Sequence, residues 1–233
     1  MRISQRTFDL IDAAFAGRTA AEVGRAFFTA LGPFGIRALW SRSQARLEPS
    51  RIYARISPPR WEEIYNERAF ENSNFVEREL PRRSQPFRWS TIELISPGER
   101  TVKQVLNDLG FPDGMAAPVH GPGGRIGVTS LAFERLEAVD EPDRLAIGMA
   151  ATVAHHRMEF LAGPPSAVPP ALSPRERDCL AFIAQGMADW EISAILGVAE
   201  STVLTHVQNA RRKLGARSRA QAVALCVSAG LIG

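Results

Sequence analysis

"LSPRERDCLAFIAQGMADWEISAILGVAESTVLTHVQNARRKLG", residues 172–215, lays three helix-sized segments between start and stop signals, and its reading decides the C-terminal fold. Ser173, Pro174 and Glu176 stand at the N-cap, first and third positions of a capping box. There the hydroxyl accepts a backbone N–H, the proline gives up a donor that had no partner, and the glutamate reaches back to the cap. Cys179, Leu180, Ile183 and Ala184 then share one face. After Gly186 a second short helix is predicted over about 189–196, carrying Ile192, Ile195 and Leu196 and stopping at Gly197. A third follows over about 200–214. Val203, Val207, Ala210 and Leu214 recur at intervals of 4, 3 and 4 and form its buried stripe, which turns Ser201, Thr205, Gln208 and Arg212 to solvent. Ser218 and Gln221 open a fourth helix with Ala222, Leu225 and Cys226 on its apolar face.

Two short helices joined by a tight turn at Gly197, the second with small polar side chains outward and a basic end, describe a helix-turn-helix. Residues 200–219 hold Arg211, Arg212, Lys213, Arg217 and Arg219 against Glu200 alone, a local balance of 5 − 1 = +4 within a chain whose net charge is only +3. Ser, Thr and Gln hydrogen-bond base edges in a major groove, and Arg and Lys take phosphates at its rim. Ser201, Thr202, Thr205, Gln208, Arg211, Arg212 and Lys213 are therefore the candidate DNA contacts. The competing interpretation is a small helical bundle with a solvated charged face.

Upstream, AGPPSAVPPA (162–171) has four prolines, cannot pack as a helix, and marks an extended linker. It divides a domain over 1–161 from one over 172–233. In the larger part, residues 3–16 and 20–31 have helical apolar spacing, 34–42 and about 47–56 look like strands, and 58–80 looks helical from Pro58-Pro59 onward. Ser96, Pro97, Glu99 and Gly110 bound another helix, and GMAAPVHGPGGRIGVTSLAFE predicts a hairpin before a long helix over about 141–161. Strands bracketed by helices imply an α+β chain: an N-terminal α/β/α sandwich around a mainly antiparallel sheet, then a four-helix helix-turn-helix domain.

With 45% hydrophobic residues the chain can bury real cores. It contains no apolar run long enough to span a bilayer, and its N-terminus mixes charge into its apolar positions, so a cytoplasmic protein without membrane contact is expected. Cys179 and Cys226 fall on apolar helix faces and suit buried hydrophobes better than a disulfide or metal site. His155-His156 reads as a surface or packing pair and His120 as a turn residue. With no nucleophile elbow, phosphate loop or HExxH run, the sequence points to no catalytic residue, metal or cofactor.

The C-terminal run resembles, end to end, the DNA-binding domain of the LuxR family of bacterial transcription regulators. Its family positions appear as Glu176, Leu180, Gly186, Glu191-Ile192, Ile195-Leu196-Gly197, Thr202-Val203, His206-Val207, Asn209-Ala210 and Arg212-Lys213-Leu214-Gly215. The resemblance implies a third helix in the major groove of double-stranded DNA and a fourth that pairs two subunits on a two-fold operator, with RNA polymerase a further partner. Three positions depart from the family: Ala188 and Ala199 replace the usual capping Thr and Ser, and Leu204 replaces the Lys that usually follows Thr-Val.

The N-terminal part resembles the autoinducer-binding domain of acyl-homoserine-lactone receptors, through Trp61, Tyr65, Trp89, Gly114 and the hairpin PVHGPGGRIGVTSL. The resemblance implies a small-molecule effector, an acyl-homoserine lactone or analogue, whose lactone carbonyl takes the indole N–H of Trp61 and whose amide carbonyl takes a hydroxyl from Thr129 or Ser130. Where the family has an Asp to accept the amide N–H, this chain has Asn74; Phe75 stands for the neighbouring Pro and Ser57 for a Tyr. An Asn carbonyl can still accept, and its NH2 could donate instead. Without the resemblance, Trp61 and Tyr65 would be one face of a core helix. The leading expectation is a homodimeric quorum-sensing regulator that takes an acyl-homoserine lactone or a related molecule with an altered headgroup. Against it stand a regulator that binds DNA with no lactone, its pocket filled by side chains such as Phe75, and an enzyme that turns over the molecule it binds.

Overall fold

The computed structural model describes residues 5–45, 48–121, 124–163 and 171–232. The chain divides into two compact units, the larger made of residues within 1–164 and the smaller built on 165–233. Most of the expected proline-rich linker, residues 164–170, lies outside the described residues.

The larger unit is an α/β/α sandwich. Helices α1 (Gln5–Phe15) and α2 (Ala20–Leu31) lead into strands β1 (Ile36–Ala45) and β2 (Glu48–Ile56). Then come α3 (Pro59–Glu67), α4 (Phe75–Glu79), β3 (Phe87–Arg88), α5 (Pro97–Asp108), β4 (Asp113–Gly121), β5 (Arg125–Phe133) and the long α6 (Glu141–Ala162). The five strands form an antiparallel sheet in the order β2-β1-β5-β4-β3. One face packs on α1, α2 and α6 through Leu10, Phe27, Leu39, Leu131, Phe133, Ile147 and Met158. The other packs on α3, α4 and α5 through Ala38, Trp61, Phe75, Trp89, Val102, Leu106 and Val128. Strand alternation makes both cores from the same strand: Val128 and Ala132 of β5 join the second, Leu131 and Phe133 the first.

The helix expected without interruption over 58–80 is broken. Helix α3 ends at Glu67, Ala69 adopts a left-handed φ of 48°, a 3-10 turn covers Phe70–Ser73, and α4 begins afresh at Phe75. The new start has its own cap, because the Asn74 side-chain oxygen accepts from the backbone N–H groups of Val76 and Glu77.

The smaller unit has α7 (Pro174–Ala184), α8 (Asp189–Leu196), α9 (Glu200–Lys213) and α10 (Arg219–Ser228). The Ser173–Glu176 capping box closes in both directions, at 3.2 and 2.7 Å. At α10 the Ser218 hydroxyl accepts from Gln221 N–H, and the Gln221 side chain takes the N–H of Arg217, one residue earlier than a standard box. Val203, Val207, Ala210 and Leu214 are buried as the spacing predicts. Cys179 and Cys226 are free and fully buried. No described helix is long and apolar enough to cross a membrane.

Candidate functional site: a tryptophan-walled cavity and a helix-turn-helix surface

A cavity of about 320 Å3 opens between the sheet and the layer formed by α3, α4 and α5. That lies within the range of small-molecule sites, roughly 300–1,000 Å3. Three indoles wall it. Trp40 stands 6.0 Å from Trp61 and 6.5 Å from Trp89 between ring centroids, and Tyr65 continues the wall 5.5 Å beyond Trp61. Phe75 meets Trp89 edge-on at 6.3 Å, and Val102, Leu106, Val128 and Ser130 complete the far side.

Each wall residue is fixed by local chemistry. Trp61 and Tyr65 lie one helical turn apart on α3 and so face the same way. Trp89 sits between two residues tied to one carboxylate: Asp113 accepts from the Arg88 guanidinium at 2.6 Å and from the Ser90 hydroxyl and N–H at 2.8 and 3.0 Å. Burial alone would raise the Asp113 pKa, but these donors outweigh it and hold the carboxyl below its usual range. A Cβ on Gly114 would lie 2.4 Å from the Trp89 indole, so the glycine makes room for the ring. Helix α4 is anchored by Arg78, whose guanidinium donates to Glu99 at 2.7 Å and to the Glu93 carbonyl at 2.6 Å.

Polar groups at the cavity are unevenly matched. The indole N–H groups of Trp40 and Trp89 are buried with no hydrogen-bond partner among the described residues. Asn74, in contrast, is saturated: beyond its two backbone donors, its NH2 donates to Glu77 at 2.8 Å and to the Tyr65 hydroxyl at 3.5 Å. Glu77 is also ion-paired with Arg42.

In the smaller unit, Ser201, Thr205, Gln208 and Arg212 form an exposed stripe along α9, with Thr202 half-buried beside it. Arg212 donates to the Asn209 side chain at 2.7 Å.

Residues 17–158 match the family described as "Autoinducer binding domain", and residues 170–226 match "Bacterial regulatory proteins, luxR family". The chain is a LuxR-family autoinducer-binding regulator. Similar proteins include the transcriptional activator BjaR1 of Bradyrhizobium diazoefficiens, 26% identical over 96% of this chain and 94% of that protein. The quorum sensing-dependent transcriptional regulator RpaR of Rhodopseudomonas palustris is 31% identical over 75% of this chain and 72% of that one. The HTH-type regulator y4qH of Sinorhizobium fredii is 29% identical over 75% of this chain, a match spanning 55% of the longer relative. In fold, Escherichia coli SdiA superposes with a TM-score of 0.71 at 17% identity, covering 97% of both chains. The family is one of transcription regulators, not enzymes.

Of the ligand positions expected in this LuxR-family regulator, Trp61, Tyr65, Asn74, Phe75, Trp89 and Ser130 converge on the cavity. Three do not. Ser57 donates its hydroxyl to Glu62 at 2.8 Å and is outside the lining. Gly114 acts through Trp89, as above. Thr129, one residue out of phase with Ser130, lies on the opposite sheet face, 3.0 Å from Ser41 and 3.4 Å from His155. At the expected DNA surface, Arg211 is turned to the Arg217 carbonyl at 2.9 Å, and Lys213 is ion-paired at 2.7 Å with buried Glu176. Both therefore have internal partners in addition to the phosphate contacts anticipated for them. Sequence reasoning missed Trp40, Arg42 and Glu77. The signal for the first two was present in strand alternation, since Ala38, Trp40 and Arg42 share one face of β1.

Proposed function

We propose that this regulator senses a small amphipathic acyl signal in the tryptophan-walled cavity and binds a two-fold DNA operator as a homodimer. The observation that carries the reading is the cavity itself, about 320 Å3 of largely apolar space in the domain matched to autoinducer binding, with Trp61, Tyr65 and Trp89 on its wall. An acyl chain gains about 0.8 kcal/mol per methylene moved from water into such a space. Residues 1–161 would sense and dimerise, 162–171 would link, and 172–233 would read DNA through Ser201, Thr202, Thr205, Gln208 and Arg212, in the cytoplasm and beside RNA polymerase. Acyl-homoserine lactones and analogues are the first ligands to test; RpaR is by name quorum sensing-dependent, and SdiA has been solved with octanoyl-rac-glycerol. Phe75 is 1% exposed, yet the cavity persists beside it, which supports a lining residue over a plug.

A ligand that binds only the folded state raises stability by about 2.7 kcal/mol at one hundred times its Kd. Thermal melting against a panel of acyl-homoserine lactones and acyl esters should show an upward shift with at least one member. A panel with no shift would sink the sensing reading.

A further inference from the structure

Two indole donors on the cavity wall lack partners among the described residues, and this bears on the headgroup the cavity would take. Trp40 and Trp89 each bring a buried indole N–H without a partner among the described residues, and Trp89 is only 3% exposed. Trp61 adds a third indole and Ser130 a hydroxyl. A buried donor left unpaired is costly, so these groups favour a ligand with oxygen acceptors.

Around Asn74 the acceptors are already engaged within the protein. The Asn74 oxygen already takes the N–H groups of Val76 at 3.1 Å and Glu77 at 3.4 Å, because it caps α4. Its NH2 is held by Glu77 and Tyr65. Glu77, the one acid among the described cavity residues, receives Arg42 and Asn74 on the same oxygen. A ligand amide N–H entering here would compete with Arg42 and Asn74 for the Glu77 carboxylate, whereas an ester oxygen at the same place needs no acceptor.

We propose, building on the sensing reading above, that the natural signal is an acyl ester or ketone: a neutral headgroup with carbonyl acceptors and no amide N–H. The indoles of Trp40 and Trp89 donate to its carbonyls, and Asn74 serves as the cap of α4 in place of an amide acceptor.

The test uses a matched pair of probes, N-octanoyl-homoserine lactone and α-octanoyloxy-γ-butyrolactone, which differ only by oxygen in place of the amide N–H. Calorimetric titration of the full chain, repeated across acyl chain lengths, should find the ester tighter by roughly tenfold, about 1.4 kcal/mol. Equal affinities, or a tighter amide, overturn the ester proposal and leave sensing intact. Failure of every pair to bind overturns the sensing reading beneath it. In Asn74→Asp the carboxylate still caps α4, gains a spare acceptor and loses the donor to Glu77, so the ratio should swing toward the amide by about tenfold. An unchanged ratio in this variant also overturns the proposal. Should Asn74→Asp fail to fold, the wild-type ratio decides alone, and Trp89→Phe should weaken both probes alike; undiminished binding there removes the indole from the argument and overturns its role.

Discussion

At the scale of single residues, the most consequential burial is that of His155, on the sheet face away from the cavity. Its ring nitrogens lie 3.0 Å from the hydroxyls of Ser41 and Ser43, and Tyr53 packs edge-on at 5.3 Å. A Cβ on Gly127 would come within 2.3 Å of the ring, so that strand position has room for glycine alone. Burial drives the imidazole pKa down to about 4, with the Glu159 charge opposing and His156 adding to the shift. An unfolded histidine titrates near 6.5, so the unfolded chain binds the proton first as pH falls. The contribution is complete above about pH 6.5 and is lost as pH drops toward 4, on the order of 3 kcal/mol in total. Urea unfolding at about pH 7 and about pH 4.5 should show this loss. The His155→Gln variant, which keeps a polar group for the serines, should flatten it, and an equally steep decline in the variant would refute the assignment. In the sequence His155 reads only as a packing or surface residue, since the serines that hold it stand more than a hundred positions away.

At the scale of elements, the local signals were legible wherever one residue type satisfies one backbone need. Ser96, Ser173 and Ser218 each cap the helix they announce. The break in 58–80 was not legible, because Trp61 and Tyr65 keep helical spacing up to the point where Ala69 turns left-handed, and alanine carries no turn signal. The two caps lost relative to the family behave differently. At α8 the Glu191 carboxylate still takes the Ala188 N–H at 2.7 Å, so half of a box survives. At α9 Ala199 makes no side-chain bond, although its φ of −72° and ψ of 150° are those of a cap. Ala199→Ser needs no backbone change there. It should raise the stability of the C-terminal unit by about 1 kcal/mol, whereas Ser173→Ala should lower it by about as much, both measured by denaturant unfolding. A neutral Ala199→Ser would mean that water already satisfies those amides.

At the scale of the whole molecule, both domain types and the order of layers could be read from periodicity and family positions, but the division of labour among cations could not. Arg211, Arg212 and Lys213 are equivalent as a run of charge, and only the fold shows that Lys213 is paired with Glu176. Burial would raise that carboxyl's pKa, yet the Lys213 ammonium and the Ser173 N–H hold it below the usual carboxylate range. Lys213→Ala should therefore cost about 1–3 kcal/mol of stability, because it strips a partner from a buried acceptor. The exposed stripe is the proposed DNA surface. Each phosphate contact contributes about 0.9 to the slope of log affinity against log salt. Arg212→Ala should flatten that slope by about one unit per subunit and weaken all sequences alike, and Leu204→Lys, at a position 46% exposed, should steepen it by the same amount. Thr205→Ala or Gln208→Ala should leave the slope alone and relax preference at individual bases. Fluorescence anisotropy of a labelled operator duplex, read from about 50 to about 200 mM salt beside a melting curve for each variant, separates the two roles. If Lys213→Ala changed the slope without changing the melt, its pairing with Glu176 would not be the reason the lysine is there.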